Sequence, residues 1–214
     1  LSASRGKETR SRIAETIAIT SREEIRKMAP QTSADLLAHL PGIKVQKTQM
    51  GGGSPVIRGM EANRVLLVVD GVRMNNAIYR TGHLQSSITV APTVLERTEI
   101  IYGPSSVIYG SDALGGVINY FTKTPEINTE NTFDTSISSR YSSANNEKAI
   151  HLDVEASFKK WASFTAISYS DFGDLKMGEN RNHGFDNWGK IFQYSNNNDS
   201  FYNPMGVVNP NADL

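Results

Sequence analysis

Between residues 133 and 158 the chain turns to a period of two, and this limits the folds open to it more than any other feature. From Phe133 to Tyr141 the odd positions read Phe133, Thr135, Ile137, Ser139 and Tyr141, against Asp134, Ser136, Ser138 and Arg140 between them. From Ile150 to Phe158 one face reads Ile150, Leu152, Val154, Ala156 and Phe158, and the other His151, Asp153, Glu155 and Ser157. Successive side chains of a strand point to opposite faces, so this alternation predicts strands with one apolar and one polar side. Lys159-Lys160 marks a tight turn into a third run, Trp161 to Ser170, where the alternation blurs. Three antiparallel strands result, at about 132–141, 148–158 and 161–171. About ten residues, tilted, is the length that a hydrocarbon core requires of a membrane strand. Phe133, Tyr141, Phe158, Trp161 and Tyr169 sit near the strand ends, as in an aromatic girdle. A soluble sheet with one wet face has the same periodicity. In either case three strands leave open edges that more chain or a partner has to cover.

Upstream the pattern is different. Ser21-Arg22-Glu23-Glu24 fits a capping box and predicts a helix from Arg22 to Met28 that stops before Pro30. Thr32 or Ser33 caps a second helix, Ala34 to His39, which Pro41-Gly42 closes. Strand-like runs follow at Ile43 to Gln46, Val65 to Val69, Thr98 to Tyr102 and Val117 to Phe121. Asp70-Gly71, Tyr102-Gly103-Pro104 and Gly115-Gly116 are turns. The sum is a small α+β domain. Charge divides at the same place: 15 basic and 10 acidic side chains in residues 1–125, against 7 and 12 in 126–214. Such asymmetry marks two different structures joined near residue 125.

Composition removes several functions. The 214 residues carry a formal net charge of zero, which argues against a nucleic-acid binder. The absence of Cys excludes disulfides, thiolate nucleophiles and Cys-based metal sites. The longest aliphatic run is Val65 to Val69, too short for a spanning helix, while a membrane β-barrel stays allowed. Leu1 to Arg12 is polar and reads as a processed or truncated N-terminus rather than a signal peptide. No enzyme signature is present: His39, His83, His151 and His183 are scattered, no Ser elbow occurs, and Glu23-Glu24 reads as a solvated helix face. Gly51-Gly52-Gly53 has no Lys-Ser/Thr pair after it, and reads as a flexible, exposed loop tip rather than a phosphate loop. Beyond Asp171 the chain reads as a loop of over forty residues, rich in Asn and aromatics.

A series of motifs then resembles the TonB-dependent outer-membrane receptors. Pro41-Gly42-Ile43, Ile57-Arg58-Gly59 and Val65-Leu66-Leu67-Val68-Val69-Asp70-Gly71-Val72 are similar to successive plug-domain motifs. So are Val94 to Pro104 (VLERTEIIYGP) and Ser105 to Asn119 (SSVIYGSDALGGVIN). They run in the family's order over residues 13–123. The resemblance implies an α+β plug domain, residues 1–125, followed in 126–214 by the first antiparallel strands of an incomplete transmembrane β-barrel and a long extracellular loop. It implies an outer-membrane receptor, not an enzyme, that imports a scarce iron-containing ligand with energy from the TonB complex. Its partners would be that complex, outer-membrane lipid, and haem, a haem protein or an iron chelate as cargo, with no prosthetic group and no nucleic acid. No TonB box precedes Leu1 and only three strands are read, so the chain is expected to be a piece of a receptor.

The resemblance also assigns roles. Arg58 and Arg97 stand where the family places plug arginines that pair with barrel glutamates; without those strands both are expected to be poorly paired. Phe133, Ile137, Ile150, Leu152 and Val154 should meet lipid, and Asp134, Arg140, His151, Asp153 and Glu155 the lumen. The loops Gln46 to Pro55 and Met74 to His83 face the pocket and offer Gln49, Met50, Tyr79 and Arg80. Thr81-Gly82-His83-Leu84 resembles the plug loop of haem receptors, which makes His83 an axial ligand to haem iron, Arg80 a propionate partner and Tyr79 a stacking surface. His183 is a candidate second ligand. A ferric siderophore ranks behind haem, and cobalamin behind that. A soluble plug-like signalling module is the alternative from another class.

Overall fold

Val65, Leu66 and Leu67 are wholly inaccessible to solvent, because the sheet they belong to is covered on both faces. A computed structural model describes residues 16–47, 52–61, 64–74, 85–103, 109–110, 113–173, 190–196 and 199–208. They form two compact units, Leu1–Ser136 with Leu152–Ser168, and Ile137–His151 with Tyr169–Leu214. The strands are β1 (Ile17–Ser21), β2 (Ile43–Gln46), β3 (Ser54–Ile57), β4 (Val65–Val69), β5 (Val72–Arg73), β6 (Leu95–Tyr102) and β7 (Gly116–Thr122). There follow β8 (Thr132–Ser142), β9 (Glu147–Ser157), β10 (Ala162–Asp171), β11 (Lys190–Asn196) and β12 (Asp199–Val208), and the helices are α1 (Arg22–Met28) and α2 (Ser33–Ala38).

The main sheet of the first unit runs β1-β6-β7-β4-β5, with β4 parallel to β7 and every other pair antiparallel. Period two divides each central strand between two cores. Val65 and Leu67 of β4 face the cluster that holds Leu36 and Leu37 of α2, while Leu66 and Val68 face one built on Val117, Ile101 and Tyr109. That is why β4 reads as an unbroken aliphatic run. At seven and six residues, α1 and α2 cannot persist on propensity alone, so capping and packing hold them. Both have a complete capping box, Ser21 with Glu24 and Thr32 with Asp35. Asp70 and Gly71 take positive φ, 47° and 85°, in the hairpin turn that joins β4 to β5.

Some elements differ from expectation. Thr32 is the cap of α2, so the helix starts at Ser33 and ends at Ala38, with His39 as its C-cap. β1 joins the sheet against β6, with Ile17 opposite Ile101. β3 pairs with β2 although Pro55 lies in it, because that two-stranded ribbon asks little of a proline's missing N–H. Residues 190–196 and 199–208 are not structureless: they are β11 and β12, paired antiparallel. The register jumps between Ile191 and Gln193, and Pro204 and Gly206 stand in β12, which hides its alternation. Gly53 is no exposed loop tip but is buried, and a β-carbon on it would lie 2.4 Å from that of Ala34.

The strands β8, β9 and β10 form one sheet in the order β10-β9-β8, joined by turns at 143–146 and 158–161. Its burial is inside out. Glu147, His151, Asp153 and Ser157 on β9 are buried, whereas Phe133 and Ile137 are each 71% exposed, with Ile150, Leu152 and Ile167 also in the open. Asp134 is exposed as well, and Val154 and Glu155 are half-buried, so the two-sided division is sharpest on the central strand. On β8, at the edge of the three, both faces are open.

Packing at Gly53 has a measurable consequence. Gly53→Ala should destabilise the protein by about 1–3 kcal/mol in urea unfolding, since overpacking forces the α2 contact apart. Gly52→Ala, with nothing within 4 Å of its added carbon, should stay within about 0.5 kcal/mol of wild type.

Candidate functional site

The expected ligand-facing residues Gln49, Met50, Tyr79, Arg80 and His83 lie outside the described residues, as does His183. What the structure shows is how the two loops that carry the first five are founded. At the start of the first loop, Gln46 Nε2 donates to Glu61 Oε2 at 2.9 Å and Lys47 Nζ pairs with Asp35 Oδ1 at 2.6 Å. The other oxygen of Asp35 accepts from the Thr32 N–H at 3.0 Å and the Thr32 hydroxyl at 2.7 Å. One carboxylate therefore caps α2 and moors the loop. Burial alone would push the Asp35 carboxyl up, but Lys47 and Thr32 outweigh it and hold it below the ordinary carboxylate value.

The far end of that loop meets the end of the second. Ser87, in the 3-10 turn Gln85–Ile88, donates its hydroxyl to the Gly53 carbonyl, and its own carbonyl accepts from the Ser33 hydroxyl. Ser33 and Ser87 are both wholly buried. Below them the Tyr120 hydroxyl donates to the Ser33 carbonyl at 3.4 Å, and burial raises the Tyr120 phenol well above its usual value. A hydroxyl at each of these points satisfies a carbonyl that would otherwise be buried unpaired. The bases of the two loops are thus tied through Ser87 to each other and to α2. Sequence reasoning named Ser33 only as an alternative cap of α2 and did not single out Ser87, because contacts between distant segments leave no local pattern.

Arg58 and Arg97 are not alike. Arg58 sits at a turn with φ of 49°, and its guanidinium lies 5.1 Å from the centre of the Tyr102 ring. With His39, Leu40 and Tyr102 it lines a groove of about 610 Å³ along β1. Burial raises the Tyr102 phenol, and the nearby Arg58 charge partly opposes it. Arg97, contrary to the expectation of a poorly paired group, has a partner inside its own sheet. Its Nε lies 2.7 Å from Oε1 of the wholly buried Glu99, and its guanidinium is 3.8 Å from the centre of the Phe121 ring. Residues two apart on a strand share a face, and Arg97 has only to reach along it.

A mooring that the sequence did not announce lies where the main sheet's last strand leads on. Lys123 pairs with Glu155 of β9 and stands 5.1 Å from the Phe164 ring of β10. The Ser157 hydroxyl accepts from the Asn128 N–H at 2.9 Å and donates to the Glu126 carbonyl at 2.7 Å. The linker 123–128 is therefore bound to the polar side of β9. Glu155 and Ser157 were legible as polar-face residues but not as anchors. In the second unit Arg140 grips Glu147 with both ends, Nε at 3.1 Å and Nη2 at 2.5 Å.

The model of the TonB-dependent receptor plug domain family matches residues 9–117. The vitamin B12 transporter BtuB of Vibrio vulnificus (strain CMCP6) is 42% identical over 121 residues, 53% of this chain and 19% of that protein. The chain thus spans about a fifth of that curated relative. The copper transporter OprC superposes with a TM-score of 0.64 at 25% identity, over 75% of this chain and 24% of its own. The ferripyoverdine receptor of the outer membrane of Pseudomonas aeruginosa gives 0.63 at 18% identity, over 80% and 22%. The siderophore receptor PirA from Acinetobacter baumannii gives 0.58 at 20%, over 78% and 26%. The last two likenesses speak for the fold alone.

Two measurements test these anchors. The lowered Asp35 contributes stability that is present above the unfolded carboxylate value, near pH 4, and is lost as pH falls through its folded value. Urea unfolding at a series of pH values should give a wild-type curve that drops toward Asp35→Asn in acid, with the gap widest above about pH 5. For the linker, Lys123→Met with Ser157→Ala should let urea release residues 123–128 earlier, seen as faster hydrogen exchange there, with β4 and β7 unchanged.

Proposed function

We propose a function from one premise: the chain belongs to the TonB-dependent receptor plug domain family. Its fold is an α+β plug followed by the first antiparallel strands of a transmembrane β-barrel, and its place is the bacterial outer membrane. We assign the plug to residues 1–125 and the barrel strands, with the β11–β12 pair that follows them, to 126–214. The protein takes up a scarce metal-containing ligand at the plug's outer loops and passes it inward with energy from the TonB complex. The observation that carries this reading is the shared footing of the loops 46–55 and 74–83 through Ser87, Gly53 and Ser33. Loops tied at one rigid base hold a constellation of side chains in register, which binding of a large ligand demands.

The ligand we propose is haem. His83, within Thr81-Gly82-His83-Leu84, would supply a neutral imidazole to the ferric iron, since its ordinary pKa lies near 6.5. Arg80 would pair with a propionate, Tyr79 stack on the macrocycle, and Gln49 and Met50 line the facing loop. Arg58 keeps the role of a plug arginine offered to a barrel carboxylate. Cobalamin is the second reading, favoured by the 42% identity to a vitamin B12 transporter, and a ferric siderophore the third.

Titrations of the receptor with haem and with cyanocobalamin separate the readings. Haem should give a shifted Soret band, and His83→Ala should weaken binding at least tenfold and abolish the shift. Saturable cobalamin binding that His83→Ala leaves intact, with no Soret shift in wild type, would replace haem by the second reading.

A further inference from the structure

The turn that joins β9 to β10, Phe158-Lys159-Lys160-Trp161, brings two cations and two aromatic rings to one point. The Phe158 N–H donates to the Trp161 carbonyl at 2.8 Å and closes a two-residue loop. The rings of Phe158 and Trp161 stack across it, 4.4 Å between centroids at 27°, and Trp161 stays 54% exposed. On the adjoining strands Leu152 and Ile167 are exposed.

Turn chemistry does not explain the lysines. Two-residue hairpin loops select Asn and Gly when they need positive φ, yet neither Lys159 nor Lys160 has one. Both are exposed, and neither has an ion-pair partner among the described residues. Glu155, on the strand that leads into the turn, is held by Lys123. The pair thus sets two positive charges at the rim of strands whose open side is apolar, against one exposed carboxylate, Glu126, on the linker bound at Ser157. Charge on the lipid side of a barrel is costly at mid-membrane and almost free at the interface, so lysines survive where they reach headgroups.

We propose that this turn binds the anionic headgroup of a phospholipid. The stacked Phe158 and Trp161 sit at the acyl boundary, where amphipathic rings belong, and the Lys159 and Lys160 ammonium groups donate to phosphate oxygens. Each lysine near an anionic surface favours it roughly fivefold, so the pair should prefer an anionic over a zwitterionic lipid by about tenfold or more.

The test uses the receptor in nanodiscs of phosphatidylcholine with a minor share of phosphatidylglycerol. Bromine is carried on the acyl chains of one lipid or the other to quench tryptophan, and the Trp161 signal is the difference from Trp161→Phe. Per molecule, brominated phosphatidylglycerol should quench Trp161 about tenfold more effectively. Lys159→Gln with Lys160→Gln should bring the two lipids to parity, the paired Arg variant should retain the preference, and high salt should reduce it. Unchanged heat-modifiable mobility on gels verifies that each variant is folded. Parity in wild type, a preference that survives in the Gln variant, or no quenching by either lipid would each overturn the proposal. So would loss of the preference on adding inorganic phosphate at constant ionic strength, which would mark a free-anion site.

Discussion

Burying Glu147, His151, Asp153 and Ser157 while Ile150, Leu152 and Ile167 stay in the open is a losing arrangement in water. Apolar surface left in water forfeits about 25 cal/mol for each Å², and each polar group withdrawn from it has to be matched. In hydrocarbon the first penalty vanishes, and only the second has to be met. β9 meets part of it with Glu147 held by Arg140, Glu155 by Lys123, and Ser157 by two backbone groups of the linker. The polar side of this strand therefore becomes the surface on which the linker 123–128 is moored. An inverted sheet both selects the membrane and supplies anchors.

The α+β unit answers a different demand. A sheet covered on both faces leaves no water for its carbonyls, and the points where chain enters and leaves it have to be satisfied from within. Ser33 and Ser87 do this with two hydroxyls between α2, Gly53 just ahead of β3, and the 3-10 turn at 85–88. Gly53 permits it: a side chain there would hold α2 away and open the serine contacts. Close packing at the loop bases satisfies these carbonyls without calling on residues of the loops themselves.

Much of this was legible, and the failures have physical causes. The capping boxes at Ser21 and Thr32 reported their helices because side-chain chemistry at a helix start is local. The inside-out strands came through for the same reason: period two is a local property, and β8 to β10 lie within a residue or so of expectation. β11 and β12 did not, since the register jump and Pro204 break the alternation that a reader depends on. Gly53 looked like loop filler because close packing against Ala34, nineteen positions earlier, leaves no mark on its neighbours. Lys123 and Ser157 were invisible as anchors because ion pairs and hydroxyl contacts between distant segments depend on the fold being known.

Arg97 shows what such long-range ignorance conceals, and it divides two arginines that sequence alone treats as equals. Glu99 has no solvent access, and Arg97 lies 2.7 Å from it. Removing one partner of a buried pair costs about 3–5 kcal/mol, less here because the Arg97 side chain is 37% exposed, but still more than an exposed salt bridge returns. Arg97 thus has no free-energy incentive to leave Glu99 for a carboxylate elsewhere, though its remaining donors can serve a second one without leaving. Arg58 carries no such obligation. Among the described residues it touches a π-face and no carboxylate, and a cation over a ring gives up only about 0.5–1 kcal/mol when exposed. Of the two, Arg58 is the one that can exchange partners at small cost, while Arg97 holds the sheet's own charge in place.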